Sequence, residues 1–377
     1  MPKGIIAVKW DDTKGTVLRA KHPGDLQLTP DEMMRIFTSH AMGEGKAGFM
    51  SMKLETMNVA SYYTGLAARG EAQYYIALLL SAEEDAGIFE EPLTESAREL
   101  VKRIAANDFQ DLLMKNYESL SVYVKLSLEQ RLALILLDPA RKLIFKKLAE
   151  GCMAKIELQE WLEQELGTSV SDIDLLLVPL IRTNLIRKAV VEGVTGDCIF
   201  LIRDMFATFA PPETVMTRIL KGEIKGNLGK SVRGEIADFF KQYKVSDDAV
   251  GEVAQILGDT NLYKLVTLLR DNLAKKEQLA TAFDKSMKEV EKLIKSLMKS
   301  GIVSEVPGRG DDGNKYLLKA DPQILLFFPE YMIDNIREKW TSGELSKGMA
   351  IKYLQILKEE FSMVTGIPRK AKPEKIS

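Results

Sequence analysis

The sequence predicts an α+β multidomain protein: an N-terminal antiparallel sheet with helices, then two copies of one helical module that ends in a hairpin, each trailed by a helical extension. Three observations carry this. Roughly the first 118 residues alternate short β-branched and aromatic runs with glycine-rich turns. The remainder contains two self-similar stretches at a spacing of about 116 to 122 residues. The chain has 377 residues, 46% hydrophobic and 28% charged, which supplies several ordinary cores and does not fit wholesale disorder.

In the first segment, residues 5–10 and 16–21 read as a hairpin because Asp11-Asp12-Thr13-Lys14-Gly15 between them is a turn-forming cluster. A helix follows. Thr29 is its N-cap, Pro30 its first residue and Glu32 the partner in a capping box, ahead of the apolar spacing Met33, Ile36, Phe37, His40; Gly43-Glu44-Gly45 ends it. Three further strand-like runs, 48–56, 57–64 and 73–80, are divided by Gly65 and Gly70-Glu71. After the acidic loop Glu83-Glu84-Asp85 the period turns helical, with Leu100, Ile104, Phe109, Leu112 and Leu113 on one side of a single long helix.

With its Trp10-Asp11-Asp12-Thr13-Lys14-Gly15 hairpin and its capped helix after a short loop, this order of elements resembles the longin-like or roadblock-like (profilin-like) domains. Such domains occur in archaeal proteins and in eukaryotic trafficking and nutrient-signalling proteins. The resemblance covers residues 1–118. It implies a five-stranded sheet with helices packed on it, and a non-catalytic role in dimerising, docking to small GTPases or contacting membrane-associated partners.

In the repeat, Ile135-Leu136-Leu137-Asp138 matches Ile256-Leu257-Gly258-Asp259, and in both an apolar helix opens after the Asp. Downstream, Phe200-Leu201-Ile202-Arg203-Asp204 and Phe209-Ala210-Pro211-Pro212-Glu213 correspond to Tyr316-Leu317-Leu318-Lys319-Ala320-Asp321 and Phe327-Phe328-Pro329-Glu330. Helices are expected at 141–150, 156–166 and 171–185 with strands at 187–191 and 198–202, then again at 262–272, 276–283 and 286–300 with strands at 302–306 and 315–318. Each copy resembles the winged helix-turn-helix domain, whose third helix and hairpin are the parts such domains can present to DNA. The divisions that follow are 1–118, 119–212, a basic connector at 213–248, 249–330, C-terminal helices at 331–366 and a disordered basic tail at 367–377. Gly222, Gly226 and Gly229 argue against one uninterrupted helix in the connector, which carries Arg218, Lys221, Lys225, Lys230, Arg233, Lys241 and Lys244.

Most chemistry finds no support. Lys plus Arg number 52 against 54 Asp plus Glu, so no whole-molecule basic field draws nucleic acid or acidic lipid. Cys152, Cys198, His22 and His40 are the only cysteines and histidines, too few for a disulfide framework or a zinc cluster, and no cofactor or metal is expected. Gly226-Asn227-Leu228-Gly229-Lys230-Ser231 ends like a phosphate-binding loop, but Ile224 stands where the motif needs glycine and no strand precedes it. Asp11-Asp12, Glu83-Glu84 and Asp311-Asp312 read as solvated turns. With no cleavage-site pattern near the start, and apolar stretches at 74–80 and 175–181 far short of the roughly 18 residues of a membrane span, the expectation is a cytoplasmic protein with reduced thiols and no catalytic role.

The third helices of the two modules differ. Residues 171–182 are apolar nearly all round and acidic at the start, which suits burial against another domain or subunit. In the second module Met287, Val290, Leu293, Ile294, Leu297 and Met298 form one face and Lys288, Lys292, Lys295 and Lys299 the opposite one; with Arg309 and Lys315 on the hairpin this is a candidate phosphate-binding surface. It lacks the Arg, Asn or Gln that pair with base edges. The leading expectation is an adaptor that binds protein, a small GTPase among its partner classes and homodimerisation among its modes. In domain order it is similar to nitrogen permease regulator-like subunits. The alternative is a DNA-binding transcriptional regulator that uses the second winged helix.

Overall fold

The computed structural model describes residues 2–42, 45–65, 72–123, 125–170, 172–224, 226–306 and 314–365. The chain divides into two compact units, Met1–Leu126 and Ser127–Ser377. The basic tail and Arg309 lie outside the described residues.

In the first unit, β1 (Gly4–Asp11) and β2 (Gly15–His22) form the expected hairpin, and α1 (Pro30–Met42) follows. Asp11 Oδ1 accepts from the backbone N–H of Thr13 and of Lys14, and Gly15 supplies the positive φ of 75° that closes the turn. Glu32 accepts from the Thr29 N–H at 2.8 Å while its own N–H donates to Thr29 Oγ1 at 3.2 Å, which completes the capping box. Next come β3 (Gly48–Lys53), β4 (Asn58–Tyr63), β5 (Tyr74–Leu80), α2 (Glu90–Lys102) and α3 (Phe109–Tyr123). The strands make one antiparallel five-stranded sheet in the order β2-β1-β5-β4-β3.

Because successive side chains leave opposite faces of a strand, Ile5, Ala7, Ile76 and Leu78 pack toward α2 and α3. Ile6, Val8, Ala77 and Leu79 pack toward Met33, Ile36 and Phe37 of α1. The single long helix expected through Leu100 and Leu113 is two helices. Asn107 and Asp108, whose side chains compete with the helical backbone, fall in the break, where Arg103 pairs with Asp108. The turn lets both helices press an apolar face on the same side of the sheet.

The second unit opens with α4 (Leu128–Leu137), α5 (Pro139–Glu150), β6 (Met153–Ala154), α6 (Lys155–Leu166), α7 (Ile173–Arg182), β7 (Ile186–Val190), β8 (Asp197–Leu201) and β9 (Asp204–Ala210). An arm of two helices follows, α8 (Glu213–Leu220) and α9 (Gly226–Gln242), broken at Gly222 with φ of 72°. The first order then recurs as α10 (Asp247–Gly258), α11 (Thr260–Asp271), β10 (Ala274–Lys275), α12 (Lys276–Phe283), α13 (Met287–Lys299), β11 (Val303–Val306), β12 (Lys315–Leu318) and β13 (Asp321–Phe327). A second arm, α14 (Tyr331–Ser342) and α15 (Lys347–Thr365), is broken at Gly343. The small sheets have matching orders, β6-β8-β7 and β10-β12-β11, and Asp138 and Asp259 cap α5 and α11.

The two copies meet as near equivalents. Strands β9 and β13 pair antiparallel, and Ala207 lies opposite Ile324, each the fourth of seven residues in its strand. Alongside, α4 packs on α10 so closely that a Cβ on Gly258 would lie 2.8 Å from Leu137 Cδ1. An approximate two-fold axis therefore passes through the ribbon. The arms obey it too, because each crosses to the other copy. Tyr353 of α15 packs its ring on Phe200 and donates to the Leu201 carbonyl of the first copy at 2.8 Å. Val215, Val232 and Ile236 of the first arm share a core with Val306 and Leu317 of the second copy. Asn335 donates to the Ala149 carbonyl at the end of α5, and Arg218 donates to the Asp271 carbonyl at the end of α11. One hydrophobic core runs through both copies.

Candidate functional site

The lysine face expected on the second module is present on α13. Ser286 and Glu289 form a capping box, Val290, Ile294 and Leu297 turn inward, and Lys288, Lys292, Lys295 and Lys299 are exposed. Lys295 lies 2.8 Å from Glu291, which Lys276 at the start of α12 also approaches at 3.2 Å. Hydrogen bonds from these two ammonium groups hold the Glu291 carboxyl below the usual carboxylate range. The charge of Lys295 is thereby offset at its root. Lys288, Lys292 and Lys299 make no ion pair or hydrogen bond among the described residues. Lys315, on β12, is half-buried and lies across the ladders from Lys275 and Val306.

The first module offers no counterpart. Ile173, Leu177, Pro179 and Leu180 of α7 are buried, while Leu175, Leu176, Val178 and Ile181 are half-buried, so the helix is covered on one side and not all round. Its N-terminal acid, Asp174, is held by Lys155 at 2.9 Å and by Lys188. Burial raises this carboxyl, but hydrogen bonds from Lys188 and Lys155 outweigh it and leave it below the usual range. An acid so held presents nothing that would attract phosphate.

Both hairpins are already engaged by protein. Over β7 and β8, Arg187 donates to Glu359 at 2.9 Å and Arg203 to the buried Glu360 at 2.6 Å, and Gly348 of α15 lies against the Glu192 carbonyl in the turn. Over β11, Ser304 donates to Glu235 of α9 at 2.9 Å, above the core that Val306 shares with Val232 and Ile236. The apparent phosphate-loop segment is the first turn of α9. Its Gly229 is required because a Cβ there would lie 2.5 Å from the Ile224 carbonyl oxygen.

Three features had no reading in the sequence. Arg270, at the end of α11, donates to both Glu129 carboxylate oxygens (2.9 and 3.0 Å), to Asp321 at 2.8 Å and to the Pro322 carbonyl, tying α4 of one copy to β13 of the other. Burial opposes the charge on Arg270, but the acids around it outweigh burial and keep the guanidinium protonated; burial raises the Asp321 carboxyl against the pull of Arg270. The second feature is a groove of about 570 Å³ between α14 and α15, lined by Phe328, Tyr331, Ile333, Leu354, Leu357 and Phe361, with Glu330, Asp334 and Lys358 at its rim. The third is the β9–β13 ribbon. Alternating burial of Met205, Ala207 and Phe209 marks it, and that period of two was available in the sequence.

In the first unit, His40 Nε2 shares a 2.9 Å hydrogen bond with Ser61 Oγ deep in the core, and burial pulls the imidazole down to about 4. The pair is neutral and sealed from solvent at neutral pH. Burial pushes the Cys152 thiol up to about 12, and Cys198 is buried, so neither is a poised thiolate. Glu84 bonds the Ser81 backbone and hydroxyl, as befits a turn, and Asp311 and Asp312 lie outside the described residues. Among the described residues no cluster of three or more His, Cys, Asp or Glu is placed to hold a metal, and no helix is long and apolar enough to cross a membrane. No protein-family model matches the chain, and comparison with curated proteins finds no match.

Proposed function

We propose that the protein is a non-enzymatic, cytoplasmic adaptor. The five-stranded unit has a longin-like or roadblock-like fold and docks a partner protein, a small GTPase or trafficking component being the class that the resemblance implies. The paired modules are winged helices used for protein contact. The observation that carries this reading is the engagement of both hairpins by an exchanged arm: a hairpin bonded to a helix through Glu359 and Glu360, or through Glu235, is not free to lie on a duplex. Capture of the tagged protein from its native cell, followed by mass spectrometry, tests it. A GTPase, trafficking or signalling protein is the expected companion; RNA polymerase or promoter DNA in their place overturns the reading.

One observation favours a second reading, contact of α13 with duplex DNA: Lys288, Lys292 and Lys299 project from one helix face without a hydrogen bond, Lys292 in the field of Glu289. Such contact would be to phosphate, with little sequence preference. Replacing the three with Ala should then lower the slope of log affinity against log salt by about 3. No duplex binding by the wild-type protein at low salt removes this reading.

A further inference from the structure

The groove between α14 and α15 has a counterpart in the other arm, and the comparison separates what folding requires from what it does not. The segments entering the two arms correspond residue for residue: Pro211-Pro212-Glu213-Thr214-Val215-Met216-Thr217 and Phe328-Pro329-Glu330-Tyr331-Met332-Ile333-Asp334. Val215 and Met332 are both fully buried, so the position that anchors each arm is apolar in both. At the outward positions the first arm has Pro211 and Thr214 where the second has Phe328 and Tyr331. An arm therefore docks without these aromatics; in the second arm Phe328 packs partly on the shared core and against Phe361, and Tyr331 is held by Asp204, so both rings are fixed in place at the groove. Further along α15, Ile351, Leu354 and Phe361 continue the exposed apolar surface.

A ridge adjoins the groove. On the outer face of the ribbon Phe206 lies directly across from Leu325, and Phe327 across from Asp204; all three apolar side chains are exposed. Asp204 accepts a 2.7 Å hydrogen bond from Tyr331, which lines the groove, so ridge and groove share one edge. The rim is also of mixed sign. Glu330 lies on the α14 wall and Lys358 on the α15 wall, and neither makes a side-chain hydrogen bond or ion pair among the described residues.

We propose that this face is the interface between two copies of the chain, the ridge of each copy entering the groove of the other about a two-fold axis. An isologous interface must be complementary to itself, with protruding and recessed parts and charges of both signs on a single patch. The ribbon ridge, the α14–α15 groove and the Glu330 and Lys358 rim meet that requirement, each Glu330 meeting the partner's Lys358 in reciprocal pairs. The inference concerns self-association alone and does not rest on the adaptor reading.

Sedimentation equilibrium of the full chain over about 1 to 100 μM tests it. The wild-type protein should dimerise, and Leu354→Glu, at an exposed position, should give a monomer whose thermal melt matches that of the wild-type chain at concentrations where the wild type is itself monomeric. Glu330→Lys and Lys358→Glu should each weaken the dimer by about tenfold, since like charges then face each other twice, and the double variant should recover most of the loss. A wild-type chain monomeric throughout overturns the proposal and leaves the face to another protein. A dimer that survives Leu354→Glu overturns it in favour of contact through the five-stranded unit. A double variant no tighter than either single one overturns the reciprocal charge pairing and with it the two-fold arrangement.

Discussion

The two copies of the repeated module bury matching positions and are held in place by different chemistry. In the first copy the arm that crosses over brings a tyrosine hydroxyl and two glutamates: Tyr353 to the Leu201 carbonyl, Glu359 to Arg187 and Glu360 to Arg203. In the second copy the crossing arm brings mostly apolar side chains, Val215, Val232 and Ile236, under Val306 and Leu317. The ends of the equivalent helices diverge as well. Arg270 is the eleventh of twelve residues in α11 and collects Glu129 and Asp321, while Ala149 holds the same place in α5 and contributes only its carbonyl. Symmetry of the backbone thus coexists with a one-sided polar junction. Hydrophobic burial is non-directional and tolerates any filling of the right volume, whereas a buried ion cluster needs every member in place.

That contrast can be broken at its strongest point first. Arg270→Met should destabilise the second unit by about 3 to 5 kcal/mol in urea denaturation, because Glu129 and the buried Asp321 lose their shared cation. Ala149→Met at the equivalent place removes no charge and should cost far less. A loss under about 1 kcal/mol for Arg270→Met would show that the packing of α4 on α10 and the ribbon suffice to join the copies.

Acid separates the copies from the first unit, since His22 and His40 both lie there and neither copy contains histidine. His40 is pulled down to about 4 by burial, below its ordinary 6.5, so its contribution is fully present above pH 6.5 and is lost as pH falls toward 4. The loss amounts to about 3 kcal/mol. Hydrogen exchange should report it in β4, around Ser61, and not in β8. Equal losses in both would assign the acid response to carboxylates instead. The smallest effect is expected at the polar contact of the second arm: Tyr353→Phe leaves the buried Leu201 carbonyl without its donor and should cost about 1 to 2 kcal/mol, read as faster amide exchange in α15. No change there would make the ring of Tyr353, packed on Phe200, the whole of the anchor.

Local signals in the sequence were reliable wherever one residue decides a local geometry. The Thr29 and Glu32 capping box, Gly15 in the turn, the Asp138 and Asp259 caps and the break at Gly222 all stand where their residue types require. The amphipathic pattern of α13 placed its four lysines on the exposed side. What failed was local evidence read over too long a range: the stripe through Leu100 and Leu113 has one apolar face and yet belongs to two helices, because Asn107 and Asp108 turn the chain. Within the single chain, Leu175 and Val178 of α7 are half covered.

The sequence by itself determined most of the element order, though not the break between α2 and α3 or strands β9 and β13, together with the presence of two related modules and the absence of a cationic face on α7. These follow from period, caps and charge, each encoded within a few residues of where it acts. The tertiary structure alone decided that the two modules share one core, that each arm crosses to the other copy, that Arg270 meets Glu129 and Asp321, and that Tyr331 and Phe361 come together in a groove. Those contacts join residues far apart in the chain, and an arm that packs on its own copy and an arm that packs on the other have the same amphipathic pattern. The ribbon of β9 and β13, with Ala207 set against Ile324, and the packing of α4 on α10 bring the other copy within reach of each arm.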